Sequence, residues 1–300
     1  MFQKLFFNIE ILYKKSKDHQ LQKKWKDHSK LIILSDKSSW VLDEITSELK
    51  TLCKKLKLAV INERFFFNSN RQCVFFSNKY DLVKKLHKTN HKVAFSYFHG
   101  NLNTSTIDQI IVNNLKRFIH KIKAIQVTNK RMQDNLIQKG IPKNIIYKIP
   151  ISIDIKKFNF FSLRKKKLAK TKNNICDKFV VGSFQKDGEG WGAGNKPKYI
   201  KGPDILIKII KILNSKLKGK LHVVLTGPAR GYVKKNLKKI NVSYSHYYAK
   251  EYSEISKFYG LLDAYIVTSR EEGGPRAILE SMASGIPIYS TDVGQAKDLI

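Results

Sequence analysis

Three hundred residues carry 57 Lys and Arg against 24 Asp and Glu, a formal charge of +33, with 42% of positions hydrophobic. That much apolar material excludes a disordered chain, and the length suits about two ordinary domains. The charge does not indicate specific nucleic-acid binding: only eight of the basic residues are arginine and the lysines are scattered through nearly every segment, whereas a nucleic-acid face concentrates charge and uses Arg for bidentate contacts.

The first thirteen residues, Met1 to Tyr13, are apolar but interrupted by Lys4 and Glu10. They are too short to span a bilayer and lack a small-residue cleavage site, so they read as a helix packed on a domain. Lys30 to Ser35 reads as a strand, and Leu42, Ile45, Leu49, Leu52 and Leu56 then recur at spacings of three and four, one face of a helix. Further strands are expected at 59–61, 73–76, 93–98 and 125–128, with helical segments between several of them. Residues 156–178 hold Arg164-Lys165-Lys166-Lys167 and read as a solvated basic linker. The pattern then restarts. A strand at 179–182, a helix from Pro203 to Leu213, a strand at 221–227, a helix through Ile255, Phe258, Tyr259 and Leu262, and strands at 263–268 and 286–291 follow. Continuous apolar strands separated by helices imply parallel sheets covered on both faces. The fold class is therefore α/β, with two Rossmann-like domains: 1–158, a basic linker 159–175, and 176–300. Ligand is expected at the C-terminal ends of the strands, in the cleft between the domains. Cys53, Cys73 and Cys176 form no metal or disulfide pattern and fit a reducing cytoplasm.

Four groups of residues fall at such strand ends. Glu272-Gly273-Gly274-Pro275 opens a helix that carries Glu280 about two turns further on. Two glycines leave room for a ligand, Pro275 suits a first helical position, and the free N–H groups of the helix start attract an anion. Gly182-Ser183-Phe184-Gln185-Lys186 ends a strand, Lys201-Gly202-Pro203-Asp204 opens a helix, and His99-Gly100 closes another strand. An anion held between carboxylates that accept hydrogen bonds from hydroxyls describes a nucleotide-sugar site.

Taken together these residues resemble the GT-B-fold retaining glycosyltransferases of family four, or group 1. The resemblance includes Val127-Thr128-Asn129 and Ile149 to Asp154, and is strongest from Asp263 to Asp298, where Glu272, Gly273, Glu280, Met282, Ala283, Gly285, Pro287, Thr291, Asp292 and Gly294 fit the family pattern. It implies two Rossmann-like domains facing each other across a cleft, the first on the acceptor side and the second binding the donor. It further implies that Glu280 holds ribose hydroxyls, Glu272 meets donor-sugar hydroxyls, Lys201 binds the diphosphate and His99 lines the donor sugar. The family's second basic residue follows Gly182, where this chain has Ser183, so that role passes to Lys186. The catalytic set is then Glu272, His99 and Lys201, and the donor-binding set Gly182, Lys186, Lys201, Glu272, Gly273, Gly274 and Glu280. No Asp-x-Asp motif occurs, so no metal and no cofactor are expected, the nucleotide sugar being substrate. The implied acceptor is a glycan or lipid-linked saccharide in cell-envelope polysaccharide or lipopolysaccharide synthesis. The expected location is the cytoplasm, with weak contact to anionic lipid on the inner face of the membrane. A catalytically silent nucleotide-sugar-binding module is the alternative.

Several features depart from the family pattern. Gly274-Pro275 replaces an aromatic–glycine pair, and Pro275 removes one N–H donor. The stretch Asp187 to Pro197, with four glycines and Trp191, reads either as a mobile loop over the cleft in which Trp191 stacks on a sugar or as a floppy surface loop. Asp36 to Trp40 stands where a glycine-rich loop would be, and the fold is expected to continue past Ile300.

Overall fold

The computed structural model describes residues 30–34, 41–55, 59–61, 73–76, 79, 82, 86, 87, 91–103, 105–249 and 251–300. The expectations for Met1 to Tyr13 and for Asp36 to Trp40 lie outside these residues. The chain divides into two compact units, Met1–Ser96 with Asn114–Ile125, and Tyr97–Asn113 with Gln126–Ile300.

One sheet comprises β1 (Lys30–Leu34), β2 (Ala59–Ile61), β3 (Cys73–Phe76), β4 (Lys92–Ser96), β5 (Ile122–Val127) and β6 (Ile146–Lys148), in the order β2-β1-β3-β4-β5-β6. β1 pairs parallel with β2 and β3, and β3 with β4, as the unbroken apolar runs predict. Helix α1 (Val41–Lys55) buries Thr46 and Cys53, while Leu52 is 51% exposed. Leu49 is half-buried between Thr46 and Cys53, so that leucine of the predicted stripe lies on the inward face while Leu52 stands at its edge.

The second sheet has β7 (Phe179–Ser183), β8 (Leu221–Thr226), β9 (Ser243–Tyr247), β10 (Ala264–Val267) and β11 (Ile288–Ser290), ordered β11-β10-β7-β8-β9 with every pair parallel. Neighbouring residues along each strand point to opposite faces. Val181, Val223, Leu225 and Ile266 therefore face Leu206 and Ile210 of α5 (Pro203–Lys216) and Val233 and Leu237 of α6 (Gly231–Lys239). Val180, Val224 and Tyr265 face Tyr259 of α7 (Ile255–Tyr259) and Ile278 of α8 (Arg276–Ala283). Each such buried side chain contributes about 1.5–3 kcal/mol relative to exposure. β9 is an edge strand without a buried residue, and its Ser-Tyr-Ser-His-Tyr sequence has no apolar run to announce it.

The sequence order reverses at β7: β8 and β9 lie to one side, β10 and β11 to the other. In open α/β sheets a ligand crevice forms at that reversal, beyond the carboxyl ends of the two central strands. Here those ends are Ser183 and Val267, which lead into Gln185 and Lys186 on one side and Ser269 to Gly274 on the other.

The basic stretch read as linker contains helix α4 (Leu163–Lys172), capped by Ser162, whose hydroxyl accepts from Lys165 N at 3.4 Å. Lys170 is buried, pairs with Asp263 and donates to the Lys178 carbonyl at 3.1 Å, so this run is docked on the second sheet. Among the described residues no helix is long and apolar enough to cross a membrane.

Candidate functional site

Gly202 shapes the site. It takes φ 63°, a left-handed conformation, and a Cβ there would overlap the carbonyl oxygen of Thr268. Only glycine allows that approach. The turn 199–201 is consequently laced to the strand-end loop: Arg270 N and Glu271 N both donate to Ile200 O, at 2.8 and 3.2 Å. Arg270 adds a forked ion pair to Asp204 at 2.8 and 2.7 Å, which holds that carboxyl below its ordinary range.

This lacing brings together two residues seventy-one positions apart. Lys201 Nζ lies 2.5 Å from Glu272 Oε1, and the hydroxyl of Ser269 is 3.0 Å from the same oxygen. Gln185 joins them, donating from Nε2 to the Lys201 carbonyl at 2.6 Å and standing 2.9 Å from the Ser269 hydroxyl through Oε1. Lysine, carboxylate, amide and hydroxyl thus converge where β7 and β10 end. His99 Nδ1 is 3.2 Å from Glu271 Oε1, a carboxylate adjacent to Glu272 in sequence.

Lys186 lies beside this cluster with its amine 3.8 Å from the centroid of the Trp191 ring, and burial lowers its pKa. The loop carrying Trp191 is not the loosely held segment the glycines suggest. Glu189 N donates to Lys196 O at 2.9 Å, Gly231 N to Ala193 O at 2.7 Å and Tyr232 N to Gly194 O at 2.9 Å. Beneath it, the buried Arg230 donates to the carbonyls of Ser183, Gln185 and Thr226 and pairs with the buried Asp187 at 3.0 Å. The Trp191 ring, 65% exposed, faces a lysine of the chain itself. The loop also returns Lys198, whose pKa is lowered by burial first and then by the charges of Lys201 and Lys186. Sequence reading missed Lys198; its position three residues before Lys201, across one tight turn, was the available signal.

The glycines serve packing. A Cβ at Gly182 would overlap Leu262, one at Gly273 the Phe98 backbone, and one at Gly274 the Gln295 side chain. At Gly273 and Gly274 the direction a side chain would take is occupied by protein. The Gly273 carbonyl accepts from the Thr128 hydroxyl and from Asn129 Nδ2 at 3.0 Å, while Asn129 also caps helix α3 (Lys130–Gln138). Pro275 stands at the N-cap of α8, one residue before the position expected.

Glu280 is separate from the Lys201 cluster in its bonding. It is 5% exposed, accepting from Tyr252 on Oε1 at 2.6 Å and from Tyr259 on Oε2 at 2.8 Å. Burial raises its pKa, opposed by both tyrosine hydroxyls and by Arg276. Arg276 donates through Nε and Nη2 to the Ser152 carbonyl and stacks over Tyr252 with 5.2 Å to the ring centroid. Neither tyrosine was assigned a role from sequence; Tyr259 reads as a core position of its helix.

Comparison with known proteins bears on the fold and on the segment that carries Lys201, Glu272 and Glu280. Residues 195–300 match the family described as glycosyl transferases group 1. No curated protein matches. Among solved structures, Anabaena HepE with bound UDP-glucose superposes with a TM-score of 0.65 at 18% identity, covering 91% of this chain and 83% of that one. Sucrose-phosphate synthase of Thermosynechococcus elongatus gives 0.66 at 11% identity over 90% and 83%. A glycosyltransferase of Rickettsia africae gives 0.58 at 15% over 91% and 81%. The group 1 match thus covers residues 195–300, and the chain's two parallel sheets share the GT-B fold of these solved structures.

Proposed function

We propose that this chain moves a sugar from a nucleotide-diphosphate donor, a UDP-sugar in the first instance, to a glycan or lipid-linked acceptor, with retention and without a metal ion. The reading places it in cell-envelope polysaccharide or lipopolysaccharide synthesis, on the cytoplasmic side and in weak contact with anionic lipid. The observation that carries it is the contact of Lys201 with Glu272 on the group 1 segment. HepE, a protein of the same fold, is known with UDP and with UDP-glucose.

The chemistry suits these parts. As the bond from the sugar's anomeric carbon to the diphosphate breaks, negative charge grows on the leaving group and positive charge on the sugar. Lys201, with Lys186 and Lys198 in support, meets the first, and Glu272 the hydroxyls of the second. Fixed charges that act on developing charge lower the barrier rather than merely tighten binding. In a retaining transfer the acceptor oxygen bonds to the anomeric carbon on the face the diphosphate leaves, and its proton passes to the departing phosphate oxygen. His99 lines the sugar, and Glu280 takes the ribose.

The test is thermal unfolding with UDP, GDP and ADP, followed by transfer from radiolabelled UDP-sugars to lipid-linked saccharide with and without EDTA. A nucleotide at 100 times its Kd stabilises by about 2.7 kcal/mol. A shift confined to one nucleotide and lost in Glu280→Ala, with EDTA-insensitive transfer, is expected. Binding without transfer to any acceptor assigns the chain to a silent binding module, and no shift with any nucleotide overturns the site.

A further inference from the structure

Glu280 is 5% exposed, yet the reading above requires a ribose to reach it. An ionised carboxylate has about four acceptor positions, two on each oxygen. One on Oε2 is taken by Tyr259, a fully buried core residue fixed among Phe158, Phe184 and Tyr265. One on Oε1 is taken by Tyr252 at 2.6 Å. Tyr252 differs from Tyr259 in its setting. It is half-buried, sits on the short turn Tyr252–Glu254, and is held by ring contacts: Phe158 edge-on at 5.8 Å, Arg276 at 5.2 Å and Lys157 at 5.7 Å. Arg276 and Glu280 are each 5% exposed, so a swing of the Tyr252 ring uncovers both, and an entering diol supplies the hydrogen bond that Oε1 gives up.

We infer that Tyr252 is a displaceable cover on Glu280, its hydroxyl holding the place on Oε1 that one hydroxyl of a vicinal diol takes when a ribonucleotide binds. The inference rests on the assignment of Glu280 to ribose. Its consequence is selectivity. A ribonucleotide brings two hydroxyls and replaces the tyrosine's hydrogen bond with its own. A 2′-deoxynucleotide brings one, and Tyr252 stays on the remaining oxygen, so no buried acceptor is stranded. The tyrosine therefore softens discrimination against the deoxy ligand, and removing its hydroxyl sharpens it.

The experiment measures the Kd of UDP and of 2′-deoxy-UDP by calorimetry for the wild-type chain and for Tyr252→Phe, which keeps the ring and its stacking partners. In Tyr252→Phe the deoxy ligand leaves a buried carboxylate oxygen without a donor, and the ratio of the two Kd values is expected to widen about five- to tenfold. An equal ratio in the two proteins overturns the inference. Tyr259→Phe removes a hydroxyl from the other oxygen; it is expected to lower Tm and leave the ratio in place, and a ratio that widens equally there also overturns the assignment to Tyr252. Glu280→Gln separates the two levels of failure. If it leaves UDP affinity intact, the ribose assignment falls and the cover with it; if it weakens UDP while the ratio is unmoved by Tyr252→Phe, the cover alone falls.

Discussion

Lys201 Nζ and Glu272 Oε1 are 2.5 Å apart, so the two charges that the proposed reading sets at opposite ends of the donor satisfy each other. Their neighbours Ser269 and Gln185 fix the carboxylate and the lysine backbone. On the proposed reading, replacing Lys201 by Ala removes the charge next to the leaving diphosphate. Hydrogen bonds to charged groups are worth about 1.5–3 kcal/mol, a fall in kcat/KM of roughly 10- to 150-fold. Steady-state kinetics with a UDP-sugar checks this. An unchanged kcat/KM would remove Lys201 from the mechanism.

Gly202 is the reason those two residues meet. Gly202→Ala places a Cβ in a left-handed residue and against the Thr268 carbonyl. The conformation alone costs about 1–2 kcal/mol, and the overlap forces the turn away from the strand-end loop. Urea unfolding is expected to show a loss of at least about 2 kcal/mol, with transfer reduced because Lys201 moves with its turn. A variant as stable and active as the wild type contradicts this account.

Much of this was legible in the chain, for identifiable reasons. The strands of the second sheet are unbroken apolar runs, and β8 buries all six of its residues, so their period and length left little choice. Lys201-Gly202-Pro203-Asp204 announced a tight turn opening a helix, and the structure places Lys201 against Glu272 through that turn. What escaped were relationships that no local pattern encodes. The close approach of Phe98 to Gly273 and of Gln295 to Gly274 is one such relationship. The Asp187–Pro197 stretch looked loose by composition, yet Arg230, some thirty-five residues later, ties down its base. Lys198 was one lysine among many until its neighbours could be identified. The residues bonded to Glu280 come from a turn and a short helix more than twenty positions earlier, and nothing in the spacing connects them.

Arg230 and Asp187 form an ion pair with both side chains fully buried. Burial raises the pKa of Asp187, with Arg230 opposing. Removing the guanidinium strands a carboxylate and three carbonyl acceptors beneath the loop that carries Lys186. Arg230→Met is expected to destabilise the fold by about 3–5 kcal/mol, as when one partner of a buried pair is lost. The double variant Arg230→Met with Asp187→Leu should recover a substantial part, since no buried charge then lacks a partner. Denaturant unfolding of the single and double variants measures the difference; additive losses would show that the pair is not coupled.

His222 gives the fold a pH dependence away from the site. It is buried on β8 with Nδ1 2.9 Å from the Ser243 hydroxyl and Nε2 2.9 Å from that of Ser245, contacts that a neutral ring satisfies by donating at one nitrogen and accepting at the other. Burial, then the charge of Lys178, lowers its pKa from 6.5 to about 4. The folded value lies below the unfolded one, so between them the unfolded chain binds more protons and stability falls as pH falls. The contribution is complete above about pH 6.5 and is lost as pH drops toward 4, on the order of 2 kcal/mol. Urea unfolding at pH 7 and pH 4.5 should show that loss, beyond what the carboxylates cause, in the wild type. His222→Gln has no proton to gain in this window, and its stability should fall less between the two pH values. Equal slopes in the two proteins would mean that the ring is protonated in the folded state at pH 4.5 without penalty, and that its serine partners accept the charged form.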